Sequence, residues 1–258
     1  MITIRTKSKR QQKQESPLHF RRIELKYLMR NQEVPELIQR LSPYTEQDPY
    51  LLAEGNGRTS YPVTSLYFDS YDCHSLLEKD AGLLSRRKVR LRTYNEHFSG
   101  TTPCFLELKR RHDSIISKDR LSLKVGRLQM NLPLSQLLDY TLSCIEAKEA
   151  VTAEVQLLRS WYNLQPTALV RYQRIPFVGK EDSTFRLTID HHLEGAWKPS
   201  NLSDPDMHIC MSQHCVLELK FNHTVPAWFH HIIQDHNLER ISYSKYARTV
   251  EHLEPVLS

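Results

Sequence analysis

Three short segments set a glutamate and a lysine two residues apart among aliphatic residues: Ile23-Glu24-Leu25-Lys26, Leu106-Glu107-Leu108-Lys109 and Leu217-Glu218-Leu219-Lys220. Successive side chains of a β-strand point to opposite faces, so in each segment the charged pair shares one face and the aliphatic residues take the other. The same alternation groups Arg90 with Arg92, Lys118 with Arg120, Tyr172 with Arg174, and Arg186 with Thr188 and Asp190. A single strand of this kind reads as half-exposed, its charges in water. Recurrence changes the reading, because a sheet that closes on itself turns the charged faces inward. That interior would hold Lys26, Arg90, Arg92, Lys109, Lys118, Arg120, Arg174, Arg186 and Lys220 against Glu24, Glu107, Asp190 and Glu218, nine basic groups to four acidic. Desolvated like charges repel at a cost of several kcal/mol each, so the pattern demands an anion. Phosphates satisfy both guanidinium forks and ammonium groups, and a triphosphate or polyphosphate fits best. The carboxylates then make sense as ligands of Mg²⁺ or Mn²⁺, hard cations that bind carboxylate and phosphate oxygens together.

The elements that must position these residues are mostly strands. Period-two alternation recurs from Phe20 to Lys220 and predicts about eight of them. Helices are predicted over 33–41, over much of 133–163, and as a C-terminal pair from Pro226 to about His252, with Pro226 suited to a first turn. The expected fold is α+β: a closed, eight-stranded antiparallel β-barrel with flanking and C-terminal helices. Residues 1–17 read as a basic, solvated tail and 18–258 as one domain. The tail supplies most of the formal net charge of +5, leaving the body nearly neutral; docking of the tail at an acidic membrane or on a membrane protein partner is the alternative reading.

Taken together, Arg21–Tyr27, Leu66–Ser70, Lys88–Tyr94, Phe105–Arg110, Ile116–Arg120, Val170–Arg174, Arg186–Asp190, Val216–Lys220 and Ser242–Tyr246 resemble, in order, the VTC domain of the triphosphate tunnel metalloenzyme (CYTH-like) superfamily, found in polyphosphate polymerases. The resemblance implies a tunnel in which the terminal phosphoryl group of ATP moves onto a growing polyphosphate chain with a divalent metal, commonly manganese. It implies phosphate-binding roles for Lys26, Arg90, Arg92, Lys109, Lys118, Arg174, Arg186, Lys220 and Lys245. Arg120 joins them as an interior cation. Glu218 is implied as principal metal ligand, with Glu107 and Glu24 as further candidates, and Lys26, Arg90, Arg92 and Glu218 as the catalytic set. Lys245, near the start of the last helix, is expected to reach into the tunnel. The hydrolysing branch of the superfamily carries Glu-x-Glu-x-Lys on its first strand, where this chain reads Arg22-Ile23-Glu24-Leu25-Lys26; loss of one carboxylate tilts the expectation toward transfer.

Other readings are weaker. A tunnel triphosphatase is the enzymatic alternative. A nucleic-acid-binding module would spread its basic residues over an exposed face or groove, whereas most net charge here lies in the tail. His208, Cys210, His214 and Cys215 have zinc-compatible types but no standard spacing, and the pairs His191/His192 and His230/His231 read as strand-end and surface residues. There is no P-loop and no G-x-G-x-x-G, as expected if side chains on strands hold the phosphates. No apolar run approaches the ~18 residues of a membrane span, no secretory signal opens the chain, and the five cysteines include no C-x-x-C pair. A cytoplasmic protein is expected, with the inner face of a membrane as a docking place for the tail.

Overall fold

The computed structural model describes residues 23–49, 51, 57–113, 115–145, 149–203, 205–222 and 224–254. The expected tail and Arg22 lie outside them.

Ten strands are described: β1 (Ile23–Arg30), β2 (Thr45–Gln47), β3 (Tyr61–Asp69), β4 (Ser85–Thr93), β5 (Cys104–His112), β6 (Ile115–Leu123), β7 (Gln165–Gly179), β8 (Arg186–Trp197), β9 (His208–Met211) and β10 (His214–Phe221). Eight form one antiparallel path, β1-β10-β8-β7-β3-β4-β5-β6, while β2 adds to β7 and β9 to β8. The helices are α1 (Val34–Leu41), α2 (His74–Asp80), α3 (Leu134–Ser143), α4 (Glu149–Tyr162), α5 (Ala227–Asp235) and α6 (Lys245–Leu253). The helical stretch expected over 133–163 is therefore two helices, and α2 was not foreseen, its seven residues being too short for a clear 3.6-residue period. Between the path's two ends, β1 and β6, no ladder is described; Lys109 of β5 reaches Glu24 of β1 at 3.6 Å, so the walls meet through side chains.

Alternation decides what packs where. The outward aliphatic residues of β3–β6, among them Leu66, Val89, Leu91, Leu106, Leu108 and Leu121, bury against Leu137 and Leu138 of α3 and Val155 and Leu158 of α4. On the other half, Leu187, Ile189, Leu217 and Leu219 pack against Leu37 and Leu41 of α1 and Phe229 and Ile232 of α5. Each fully buried aliphatic side chain contributes roughly 1.5–3 kcal/mol, so the two outer layers hold the sheet in shape from outside.

A third cluster lies on the opposite, charged-parity face. Val63, Tyr67, Val170 and Tyr172 pack against Tyr246, Ala247 and Val250, which places α6 on the inner side of the sheet. The helix is fastened there by Tyr246, whose hydroxyl donates to the buried Asp69 carboxylate, while the other oxygen of Asp69 accepts from the backbone amide of Ser70 and from that of Ser75 in the first turn of α2. The approach is close enough that Gly195 of β8 is obligatory: a Cβ there would sit 2.2 Å from Thr249 Cγ2 and 3.2 Å from the Leu169 carbonyl oxygen. Gly195→Ala is expected to destabilise the fold by about 1–3 kcal/mol and lower the thermal midpoint; a melting curve superimposable on wild type would show that α6 does not pack this tightly.

Candidate functional site

The registers of β4, β5 and β6 align their inner residues in rows. Arg86 faces Arg111, Lys88 faces Lys109 which faces Lys118, and Arg90 faces Glu107 which faces Arg120. Tyr67 and Ser65 of β3 stand opposite Arg90 and Arg92. On the facing wall Glu24 pairs with Lys220 and Lys26 with Glu218, Lys220 with Arg186, and Arg174 with Asp190. Between the walls runs a cavity of about 1340 Å³, lined by every expected phosphate-binding side chain: Lys26, Arg90, Arg92, Lys109, Lys118, Arg120, Arg174, Arg186, Lys220 and Lys245.

Two buried carboxylates tie this crowd together. Glu107, fully buried, lies 2.7 Å from Arg90, 2.6 Å from Lys118, 2.8 Å from Arg120 and 3.6 Å from Arg92. Burial alone would raise its pKa, but Arg92, Arg90 and Lys118 together hold the carboxyl far below the usual range. Asp190, equally buried, accepts Nε and Nη2 of Arg174 at 2.6 and 2.7 Å and lies 2.6 Å from Lys245 Nζ, and these cations overcome burial in the same way. Lys245 thus reaches the cavity from the first turn of α6. The segment just before that helix also lines the site: Lys26 Nζ donates to the Tyr243 carbonyl (2.8 Å) and Lys88 Nζ to the Ser244 hydroxyl (3.2 Å), which in turn caps α6 by accepting from the Ala247 amide.

The three carboxylates expected as metal ligands do not converge, and among the described residues no three His, Cys, Asp or Glu side chains do. Glu107 is surrounded by its four cations. Glu24 and Glu218 are diagonal neighbours on β1 and β10; burial and the Glu218 charge raise the pKa of Glu24, but Lys109, Lys26 and Lys220 outweigh both and bring it down to about 2, while Lys220, Lys26, Lys245 and Arg174 overcome burial at Glu218 and hold its carboxyl well below the usual range. A pair of ionised carboxylates lining a cavity rich in phosphate-binding side-chain types fits Mg²⁺ or Mn²⁺, which take one or two carboxylates and complete their shell from phosphate oxygens and water. The suggested zinc residues are not brought together: Cys210 packs against α6 and Cys215 in the outer core beneath α1 and α5.

Sequence reasoning missed several lining residues. Arg86, Lys88 and Arg111 continue the same-face alternation of β4 and β5 and were legible there, whereas Tyr67, whose hydroxyl accepts from Arg90 Nη1 at 2.8 Å, is set by the β3–β4 register.

The VTC domain family profile matches residues 21–254. This chain belongs to the VTC domain family. Its fold is similar to that of a Hippeastrum protein described as a candidate adenylyl cyclase with a dominant triphosphatase activity (TM-score 0.52, 14% identity, covering 92% of this chain and 98% of that one). It is also similar to a candidate adenylate cyclase from Bacillus halodurans (TM-score 0.50, 15% identity, covering 86% of this chain and 92% of that one). Both likenesses show the fold, a triphosphate-tunnel fold. Comparison with curated protein sequences gives no match.

The lysine row gives this VTC domain a pH signature. Burial lowers Lys88 and Lys109 to about 8 and Lys118 to about 7, against an ordinary 10.5. Between those values and 10.5 the unfolded chain binds protons that the tunnel does not, so the ligand-free protein gains stability as pH rises through that window. A polyanion restores the protonated state. Tripolyphosphate titrated calorimetrically at pH 8 in two buffers of different ionisation heat is expected to show net proton uptake, with affinity tightening from pH 9 to 7; zero uptake would remove the lysine row from the binding site. Glu107→Gln, which strips four cations of their shared counter-charge, is expected to cost about 3 kcal/mol in denaturant unfolding; an unchanged midpoint would show that the cations do not depend on it.

Proposed function

We propose that this VTC domain transfers the terminal phosphoryl group of ATP onto a growing inorganic polyphosphate chain inside the cavity. The observation that carries the reading is the aligned row Lys88–Lys109–Lys118, flanked by Arg90, Arg92 and Arg120: Lys118 shares Glu107 with three arginines, Lys109 meets Glu24 at 3.6 Å and Lys88 meets the neutral Ser244 hydroxyl, so cations outnumber carboxylates along the row and a linear, multiply charged anion is what satisfies it.

Phosphoryl transfer asks the protein for in-line positioning and charge neutralisation more than for covalent help. Arg90 and Arg92 are held by Glu107, Arg174 by Asp190, so their guanidinium groups are oriented before substrate arrives and lose little freedom on binding it. Lys26, Lys220 and Lys245 neutralise phosphate oxygens from the facing wall, Lys245 carried in by α6. Glu218, with Glu24 beside it, would hold a divalent cation, which when bound neutralises charge on the transferring phosphate. The acceptor oxygen is then a terminal phosphate of the chain, lodged among the lysines, which favour another phosphate over water.

Hydrolysis in the same cavity is the second reading, favoured by the triphosphatase activity in the description of the Hippeastrum protein. Replacement of the first carboxylate of Glu-x-Glu-x-Lys by Arg22 favours transfer, since two convergent carboxylates make a poor two-metal hydrolytic site. Purified protein incubated with ATP and Mn²⁺ or Mg²⁺ separates the two: polyphosphate accumulating with ADP supports transfer, and free phosphate without chains supports hydrolysis. Glu218→Gln, with its fold checked by circular dichroism, is expected to lose at least about 100-fold of either activity; full activity would exclude Glu218 from the reaction.

A further inference from the structure

The cations of β4 and β5 do not stop at the lysine row. Two residues further outward Arg86 faces Arg111 directly across the ladder, and both line the same cavity. Like charges directly opposite one another on one face destabilise a strand pair, and arginine, unlike lysine, does not shed its charge to relieve the repulsion. The strain is visible at Arg86, where burial and then the Arg111 charge press the pKa downward, with Glu78 opposing. Arg111 is also held in place, its Nε donating to the Asp113 carbonyl at 2.7 Å.

Distance gives this pair its meaning. Successive inner rows lie two residues apart, and at a rise of ~3.3 Å per residue the strand from Arg92 past Arg90 and Lys88 to Arg86 runs about 20 Å. A triphosphate seated on Arg90, Lys109 and Lys118 occupies two of these rows, and Arg86 with Arg111 forms the next one, about 7 Å further along the strands, where the phosphates of a longer chain would lie. The opposite end of the cavity differs in kind: Tyr94 meets Tyr61 and Phe105 edge-on at 5.7 and 5.9 Å, and the Arg120 guanidinium lies 4.8 Å over the Phe105 ring. One mouth is aromatic and the other ends in an arginine pair.

We propose that Arg86 and Arg111 form a chain-length subsite, an anion station at one mouth that engages phosphates beyond those of a bound triphosphate and makes the cavity prefer longer linear polyphosphate. The inference rests on the phosphate-tunnel reading above and adds a specificity determinant to it. Both guanidinium groups can donate paired N–H bonds to successive phosphates, and such charge-assisted bonds are about twice as strong as neutral ones.

The test compares inorganic tripolyphosphate with a long linear polyphosphate, measuring the affinity of each for the full chain by calorimetry. Longer chains bind in more registers on any protein, so the readout is the change in the long-to-short affinity ratio between variants. In Arg86→Gln/Arg111→Gln the ratio is expected to fall at least about tenfold while tripolyphosphate affinity stays within about twofold of wild type. Arg86→Lys/Arg111→Lys, which keeps the charge, is expected to retain most of the preference. An unchanged ratio in the glutamine variant overturns the subsite, as does an equal loss of both ligands. Wild-type protein that binds neither anion overturns the phosphate-tunnel reading itself, a result distinct from either.

Discussion

Repulsion among cations is the constraint on which the structure depends. The tunnel gathers guanidinium and ammonium groups within a few ångströms of one another, and without counter-charge such an assembly would not stay folded. Glu107 and Asp190 are the remedy. Each is buried without access to water, each bonds cations from two or more elements, and each fixes its partners' geometry. Compensation is incomplete: Glu107 reaches Lys118 and Glu24 reaches Lys109, yet burial outweighs them and leaves the lysine row with lowered pKa values, a fold kept stable in part by holding fewer protons than its composition allows. The protein thus stores a demand for negative charge that the proposed phosphate chain would meet.

The scaffold serves that arrangement from both faces. Outside, aliphatic residues of the strands bury beneath α1 and α3–α5, and Glu154 of α4 bonds Arg87 and Arg110, the sequence neighbours of Lys88 and Lys109 on the far side of the sheet. Inside, α6 occupies part of the concave face, anchored by Tyr246 on Asp69 and admitted by the missing side chain at Gly195. Its cap, Ser244, and its first residue, Lys245, both line the cavity, so helix capping and the proposed ligand binding draw on the same few atoms.

Much of this was legible in the sequence because a strand's period of two sorts residues onto faces without ambiguity. Glu-x-Lys repeated in three segments fixed the inner wall, and the outward Leu, Ile and Val fixed the core. What the alternation could not supply was register. Nothing local says that Lys88, Lys109 and Lys118 share a row while Arg90 and Arg120 flank Glu107; that follows from which residue faces which across β4, β5 and β6. The same ignorance of register left Glu107 and Glu24 side by side as further candidates beside Glu218, when pairing surrounds Glu107 with cations and sets Glu24 next to Glu218. The placement of α6 inside the sheet was partly readable, from Lys245, but the Tyr246–Asp69 bond spans 177 residues and has no sequence signal.

The pairing of β1 with β10 has a consequence for how the protein comes to exist. Glu24 and Lys26 meet Lys220 and Glu218, and Lys26 also leans on the carbonyl of Tyr243, so the wall that carries the proposed metal pair joins an early part of the chain to a late one. Contacts this remote in sequence make folding slow, since loop closure precedes any gain from them. During synthesis β1 emerges with an unpaired edge and waits for nearly two hundred residues before its neighbour appears. Throughout that interval the nascent chain carries a lysine–glutamate strand whose charges discourage edge-to-edge association, one of the ordinary devices for protecting a lone strand. The residues proposed to serve the ligand in the finished protein would therefore also act earlier, opposing edge-to-edge pairing of the unfinished one until β10 arrives.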